Sequence, residues 1–336
     1  MKKIDVNTLL KGVDCECGRF HTCDIECVYI EKNATERLKD VCKKYTSILL
    51  VADENTYAVG GKKIELVLSD KKISKVVFCG KTVLVPDEKA IEKVEQNLGD
   101  CDLIIALGSG VIQDLCKYVS HFNKIDYIDV ATAPSMDVYA SDGAAMILGG
   151  MKVTVKAGLP RAIIADVDIL KDAPMEMIKA GYGDVIGKFS ALNDWKLSNV
   201  ITGEYLCDFI YDLTFEQTQT TLSLAEGLKE RNEQSIKSLM DALVIIGILM
   251  SFAGSSRPAS GSEHHLSHFF EITGIIDDTP YLSHGLDVAY STVITAKVRE
   301  SLVKSNLKKV CEVEDEETRK ENISNIYKQV AKGCID

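Results

Sequence analysis

The sequence has no surplus of basic residues. Against 39 Lys+Arg stand 50 Asp+Glu in 336 residues, a formal net charge of −11, which excludes nucleic-acid binding through a general basic surface. It also lacks an apolar run of the ~20 residues that a bilayer span needs. Its longest apolar stretch, Ala242 to Met250 and on to Gly254, reads instead as a buried core helix. The basic residues Lys2 and Lys3 are followed by no apolar h-region and no cleavage signal, so the protein is expected to stay in the cytoplasm. Internal repeats are missing as well. Hydrophobic residues at 46% and charged residues at 26% are ordinary globular proportions, which excludes disorder for the bulk of the chain.

Cysteine is not scarce: there are 11, odd in number and spread from Cys15 to Cys334. A chain this long needs no disulfide staples, so reduced thiols are expected. The densest group, Cys15, Cys17, His21, Cys23 and Cys27, puts thiolate and imidazole donors close together and makes a small zinc site conceivable. Its spacing matches no pair of CxxC knuckles. The alternation of His21–Ile30 equally suits a strand with Cys23 and Cys27 on one face.

The first half alternates short apolar runs with helical patterns. Ser47–Ala52 (ending at Asp53), Lys75–Cys79, Thr82–Val85, Leu103–Leu107, Tyr127–Ala131 and Ile163–Asp166 read as strands. Such alternation predicts an α/β unit with a doubly wound, mainly parallel sheet of nucleotide-binding type. From Pro174 onward the pattern is helical, with helices expected through Val200 and over 204–228, 232–252, 262–272 and 284–304. The division therefore falls after residue 166, giving an α/β domain over 1–166 and an all-α domain over 167–336. The acidic run from Glu312 reads as a solvated helix start.

Three features carry chemistry. Gly108-Ser109-Gly110 lies between a strand and a helix, where backbone amides and the helix dipole suit a pyrophosphate; Asp53, which precedes rather than follows the glycines, is a candidate for the adenosine end. Thr132-Ala133-Pro134-Ser135-Met136-Asp137 follows the next strand, with Ser141 and Asp142 just beyond, on the sheet edge that ligands favour. Of six histidines, His264, His265, His268 and His284 crowd into one stretch. His264 and His268 are four apart and share a helix face. Two imidazoles plus one carboxylate leave a tetrahedral metal with an open position, and Asp184, flanked by small residues in Gly181–Lys188, is a candidate carboxylate.

Gly-Ser-Gly-Val-Ile-Gln-Asp at 108–114, Thr-Ala-Pro-Ser-Met-Asp at 132–137, Gly-Tyr-Gly-Asp at 181–184 and Ser-Arg-Pro-Ala-Ser-Gly-Ser-Glu-His-His-Leu-Ser-His at 256–268 resemble the glycerol-1-phosphate dehydrogenase branch of the glycerol dehydrogenase, iron-type alcohol dehydrogenase and dehydroquinate synthase superfamily. The resemblance implies a metal site in the cleft between the two domains and a homo-oligomer. It implies that Gly108, Ser109, Gly110, Val111 and Ile112, with Thr132, Ala133, Pro134, Ser135 and Ser141, hold NAD(P)H. Asp184, His264 and His284 would hold one divalent metal, Zn²⁺ or Ni²⁺ with Fe²⁺ as a further option. Asp137, Asp184 and His268 would contact dihydroxyacetone phosphate, while His265 would be structural.

The chain departs from the pattern at Ser109, where relatives often have glycine and a negative φ is expected, and at Val138-Tyr139. It also looks shorter than the family at its carboxyl end. The implied reaction is reversible reduction of dihydroxyacetone phosphate to sn-glycerol 1-phosphate. Arg257 and Lys188 are candidates for the phosphate. The alternatives are a glycerol or other polyol dehydrogenase and, outside enzymes, a truncated nucleotide-binding scaffold.

Overall fold

The computed structural model describes residues 5–277, 279, 282–305, 314–328 and 331–335. Its strands are β1 Val13–Asp14, β2 Phe20–His21, β3 Cys27–Glu31, β4 Ser47–Asp53, β5 Lys72–Phe78, β6 Leu103–Gly108, β7 Asp126–Ala131, β8 Gly143–Leu148, β9 Met151–Lys156 and β10 Ala162–Asp166. Six of them form one sheet in the order β3-β10-β7-β6-β4-β5, and every pairing within it is parallel. A parallel sheet is covered on both faces, which is why β4 and β6 read as unbroken apolar runs. Leu49, Val51, Ile104 and Ala106 pack under Ile112, Leu115 and Val119 of the helix Gly110–Asn123. Ile48, Leu50, Leu103 and Ile105 point the other way, against Leu38, Ile64 and Leu68.

Two expected strands are not there. Thr82–Val85 lies in a loop, with Val83 82% exposed; β5 is the outer strand of the sheet, and this run leaves it without joining the ladder. His21–Ile30 is no single strand either, because β2 ends at His21 and β3 starts at Cys27. A hairpin not expected from the apolar pattern, β8–β9, turns on Gly149 (φ 59°) and Gly150 (φ 79°). Both central positions of that turn need positive φ, which glycine supplies.

Beyond β10 the described residues are helical. The long helix Met175–Thr202 starts after Pro174 and stops at Gly203 with φ 72°, as capping rules require. Where one helix was expected over 204–228 there are two, Asp208–Leu222 and Ala225–Lys229. Helix Glu233–Ala253 begins at Asn232, whose side chain accepts from the Gln234 and Ser235 amides. It is long and apolar enough to cross a membrane, yet Leu239, Leu243 and Ile246 on it are fully buried in the main core. Helices Ser262–Asp277 and His284–Lys304 follow. Asp315 caps a further helix, Glu316–Tyr327, so the acidic run is a solvated helix start there; Glu312 and Val313 lie outside the described residues.

Candidate active site

Three helices deliver three donors to one point. Asp184 comes from Met175–Thr202, His264 from the first turn of Ser262–Asp277, and His284 opens His284–Lys304. Their ligand atoms all lie within 4.8 Å of one another, and the Asp184 Oδ1 to His264 Nε2 distance is 3.7 Å. Glycines make this possible. A Cβ on Gly183 would sit 2.6 Å from Gly285 O, and one on Gly285 would sit 2.1 Å from Ala180 O, so neither helix could carry a side chain at the crossing. One residue past Gly183, Asp184 is thereby brought against the start of the His284 helix.

The electrostatics keep this set ready for a cation. Burial works against ionising Asp184, but Lys188, His264 and His284 hold its carboxyl below the usual range. Burial holds His264 below the ordinary imidazole value, against the pull of the Glu263 carboxylate, so the ring is neutral and able to coordinate. His264 Nδ1 lies 2.8 Å from Glu263 Oε1, which turns Nε2 toward Asp184. His284 Nδ1 is buried without a hydrogen-bond partner among the described residues, 3.8 Å from Glu271 Oε2. Two imidazoles and a carboxylate with an orphaned ring nitrogen fit a divalent metal of the catalytic type.

Around them lies a polar shell. Lys188 Nζ is 2.7 Å from both Asp184 Oδ1 and Asp137 Oδ2, and the Asp137 amide donates to Asp184 Oδ2 at 3.0 Å. Although burial alone would discharge Lys188, the two carboxylates raise its pKa. His268 sits one turn beyond His264, with its ring 5.6 Å from that of His284. Burial first, then the charges of Lys152 and His284, lower its pKa to about 3. Arg257 is engaged by Glu204 at 2.8 Å. His265 is more exposed than its neighbours.

The candidate cofactor residues sit along the carboxyl ends of adjacent strands: Asp53 as the last residue of β4, Gly108–Ile112 from the last residue of β6 onward and Thr132–Ser135 after β7. Ser109 has φ −121° and caps the helix Gly110–Asn123 without a side-chain bond, so its backbone tolerates serine. Asp53 accepts the Asn55 and Thr56 amides on Oδ1. Ser141 Oγ lies 3.5 Å from Lys117 Nζ. Tyr139, the departure beside Asp137, is fully buried and donates its hydroxyl to Ala133 O. A Cβ on Gly181 would meet Pro134 O at 1.8 Å, so the loop after β7 and the helix that carries Asp184 touch directly.

Sequence reasoning missed Glu263, Glu271 and Lys152. Glu271 pairs with Lys152 of β9, and against the effect of burial the nearby His284 and Lys152 lower its pKa to about 2. Glu263 adjoins a recognised histidine, a usable signal, since a ligating imidazole needs an acceptor for its second nitrogen. Lys152 arrives from a hairpin remote in sequence and left no local trace.

Residues 29–174 match the family model of iron-containing alcohol dehydrogenases. A glycerol-1-phosphate dehydrogenase of Geobacillus thermodenitrificans, named for NAD(P)+, is 34% identical over 288 residues, covering 83% of this chain and 71% of that one. One from Pyrococcus furiosus is 33% identical over 291 residues, 82% of each chain. Among solved structures, glycerol dehydrogenase from Schizosaccharomyces pombe superposes with a TM-score of 0.68 at 19% identity, over 90% of this chain and 75% of that one. The iron-containing alcohol dehydrogenase of Thermococcus thioreducens gives 0.64 at 15% identity, over 91% of each. These two share the fold of this chain.

Proposed function

The chain belongs to the glycerol-1-phosphate dehydrogenase family, and from that premise we propose which of its residues do the work. It is an oxidoreductase that couples NAD(P)H to the reversible reduction of dihydroxyacetone phosphate to glycerol 1-phosphate. The convergence of Asp184, His264 and His284 within 4.8 Å, beside the edge that carries Gly108–Gly110, supports them as the metal ligands. A divalent ion held there would supply Lewis acidity to the substrate's carbonyl oxygen.

The protein's own groups do the rest. The Gly108–Ile112 amides and the dipole of the following helix bind the dinucleotide's pyrophosphate, with Thr132, Ala133, Pro134, Ser135 and Ser141 along its length. Because Asp53 spends Oδ1 on its own helix cap, Oδ2 is the oxygen we assign to a ribose hydroxyl. Glu263 fixes the His264 tautomer. Lys188 stays charged and clamps Asp137 to Asp184, which leaves both carboxylates oriented toward the substrate. His268, uncharged at neutral pH, positions a substrate hydroxyl by hydrogen bonding and can pass a proton through water.

Metal-stripped protein, restored with Zn²⁺, Ni²⁺ or Fe²⁺ in turn and offered dihydroxyacetone phosphate with NADH or NADPH, tests this reading. Turnover should return only with metal and should favour the phosphorylated substrate. Equal turnover without metal would overturn the ligand assignment, and a preference for free dihydroxyacetone would favour a polyol dehydrogenase. We also propose a homo-oligomer, supported by the exposed apolar residues Leu197, Val200, Ile201, Val298 and Val303; a monomer mass by light scattering would refute it. The free thiols of Cys42 and Cys116 support a reducing, cytoplasmic location, which cell fractionation checks.

A further inference from the structure

Far along the chain from the dehydrogenase site, a second group of donors converges. Cys15 and Cys17 stand two apart in the tip of the β1–β2 hairpin, whose turn brings both thiols to one place. The tip is closed by hydrogen bonds from the Cys15 amide to Arg19 O and from the Gly18 amide to Cys15 O; Gly18 has φ +82°, a conformation that asks for glycine. His21 ends β2. Cys207 comes from the other half of the molecule, as the residue before helix Asp208–Leu222.

A zinc tetrahedron with Zn–S of about 2.3 Å and Zn–N of about 2.0–2.1 Å sets its ligand atoms roughly 3.5–3.8 Å apart. Cys17 Sγ is 3.4 Å and Cys207 Sγ 3.5 Å from His21 Nε2, and Cys15 Sγ is 3.6 Å from Cys207 Sγ. All four donor atoms lie within 4.8 Å of one another. We propose that Cys15, Cys17, His21 and Cys207 form a structural zinc site that pins the amino-terminal hairpin to the helical half.

The surroundings are built for it. The His21 ring is stacked on Phe252 at 5.3 Å and lies near parallel to Phe209 at 6.3 Å, so Nε2 has a fixed direction. The Tyr205 hydroxyl lies 3.4 Å from Cys17 Sγ, placed to donate to a thiolate. Arg19, stacked 3.5 Å from the centre of the Tyr205 ring, offsets the surplus negative charge of three thiolates around one Zn²⁺. On binding, the thiols release their protons to solvent. Cys23 and Cys27 belong to neither this group nor the other candidate sets. A clip that joins residues 186 positions apart, as His21 and Cys207 are, closes a long loop of the unfolded chain and so stabilises the folded state.

The test uses the full-length enzyme loaded with Co²⁺. Thiolate-to-cobalt charge-transfer absorption in the near ultraviolet reports this site alone, since Asp184, His264 and His284 offer no sulfur. The band should appear in the wild type, persist in His264→Ala, and vanish in Cys17→Ser, whose side chain is exposed and whose folding is therefore secure. Zinc content should fall by one ion per chain in Cys17→Ser, with turnover kept at low temperature and the thermal midpoint lowered. An active wild type with no such band, or an unchanged zinc count in Cys17→Ser, would overturn the proposal. So would a Cys15–Cys207 disulfide found by non-reducing peptide mapping. None of these results bears on the dehydrogenase reading, which rests on a different ligand set.

Discussion

Asp129 lies within β7 with both carboxylate oxygens buried and without a hydrogen-bond partner among the described residues. Burial pushes its pKa well up, with Asp114 adding to the effect and Lys117 opposing it. Because the folded value lies above the unfolded one of about 3.9, the folded state holds the extra proton. The stability that Asp129 withholds therefore grows as pH rises above about 4. Asp129→Asn should raise the stability measured by urea denaturation at pH 8 by about 1–3 kcal/mol, the scale of an ill-satisfied buried polar group, and the two proteins should converge at pH 4. An Asn variant no more stable at pH 8 would refute this. His264 and Asp184 were legible as candidates, the first from the crowding of histidines and the second from the small residues that flank it. Glu271, Lys152 and Cys207 were not, since each gains its role from a neighbour more than ten positions away.

One fork of hydrogen bonds holds the three helices that carry Asp184, His264 and His284 in register. Arg299, on helix His284–Lys304, donates to Ser190 Oγ at 2.8 Å, to Asp194 Oδ1 at 2.6 Å and to Ser262 Oγ at 2.7 Å. Asp194 in turn accepts the Ser262 amide on Oδ2 at 2.7 Å, capping the histidine helix from a different helix. Burial opposes its ionisation, but the Ser262 and Arg299 bonds keep Asp194 ionised below the usual carboxylate range. Arg299→Ala should weaken metal binding about 10–100-fold, the usual effect of losing a partner that orients a ligand. Arg299→Lys should recover only part, because a lysine cannot reproduce the planar fork. Metal titration of the stripped variants decides it: wild-type affinity in Arg299→Ala would show that the fork is not needed. Helix His284–Lys304 was readable end to end, as were β4, β6 and β7. The β8–β9 hairpin escaped because its strands are half-buried and only the Gly149-Gly150 turn announces them.

Across the whole molecule, function depends on apposing a sheet edge and a helical half that come from separate parts of the sequence. The parallel sheet and the helical run after Pro174 follow from apolar periodicity, which is a local property. The apposition does not: it is set by contacts such as Gly181 against Pro134 O and Gly183 against Gly285 O, where the absence of a side chain matters and leaves no mark in a hydropathy pattern. Small residues around Asp184 hinted at close approach without naming the partner. The most direct test is an anomalous-scattering map from crystals of enzyme whose activity has been restored with Zn²⁺ or Ni²⁺. The account predicts a peak at about 2.0–2.2 Å from donor atoms of Asp184, His264 and His284. Fully active crystals with no peak between those three side chains would contradict it.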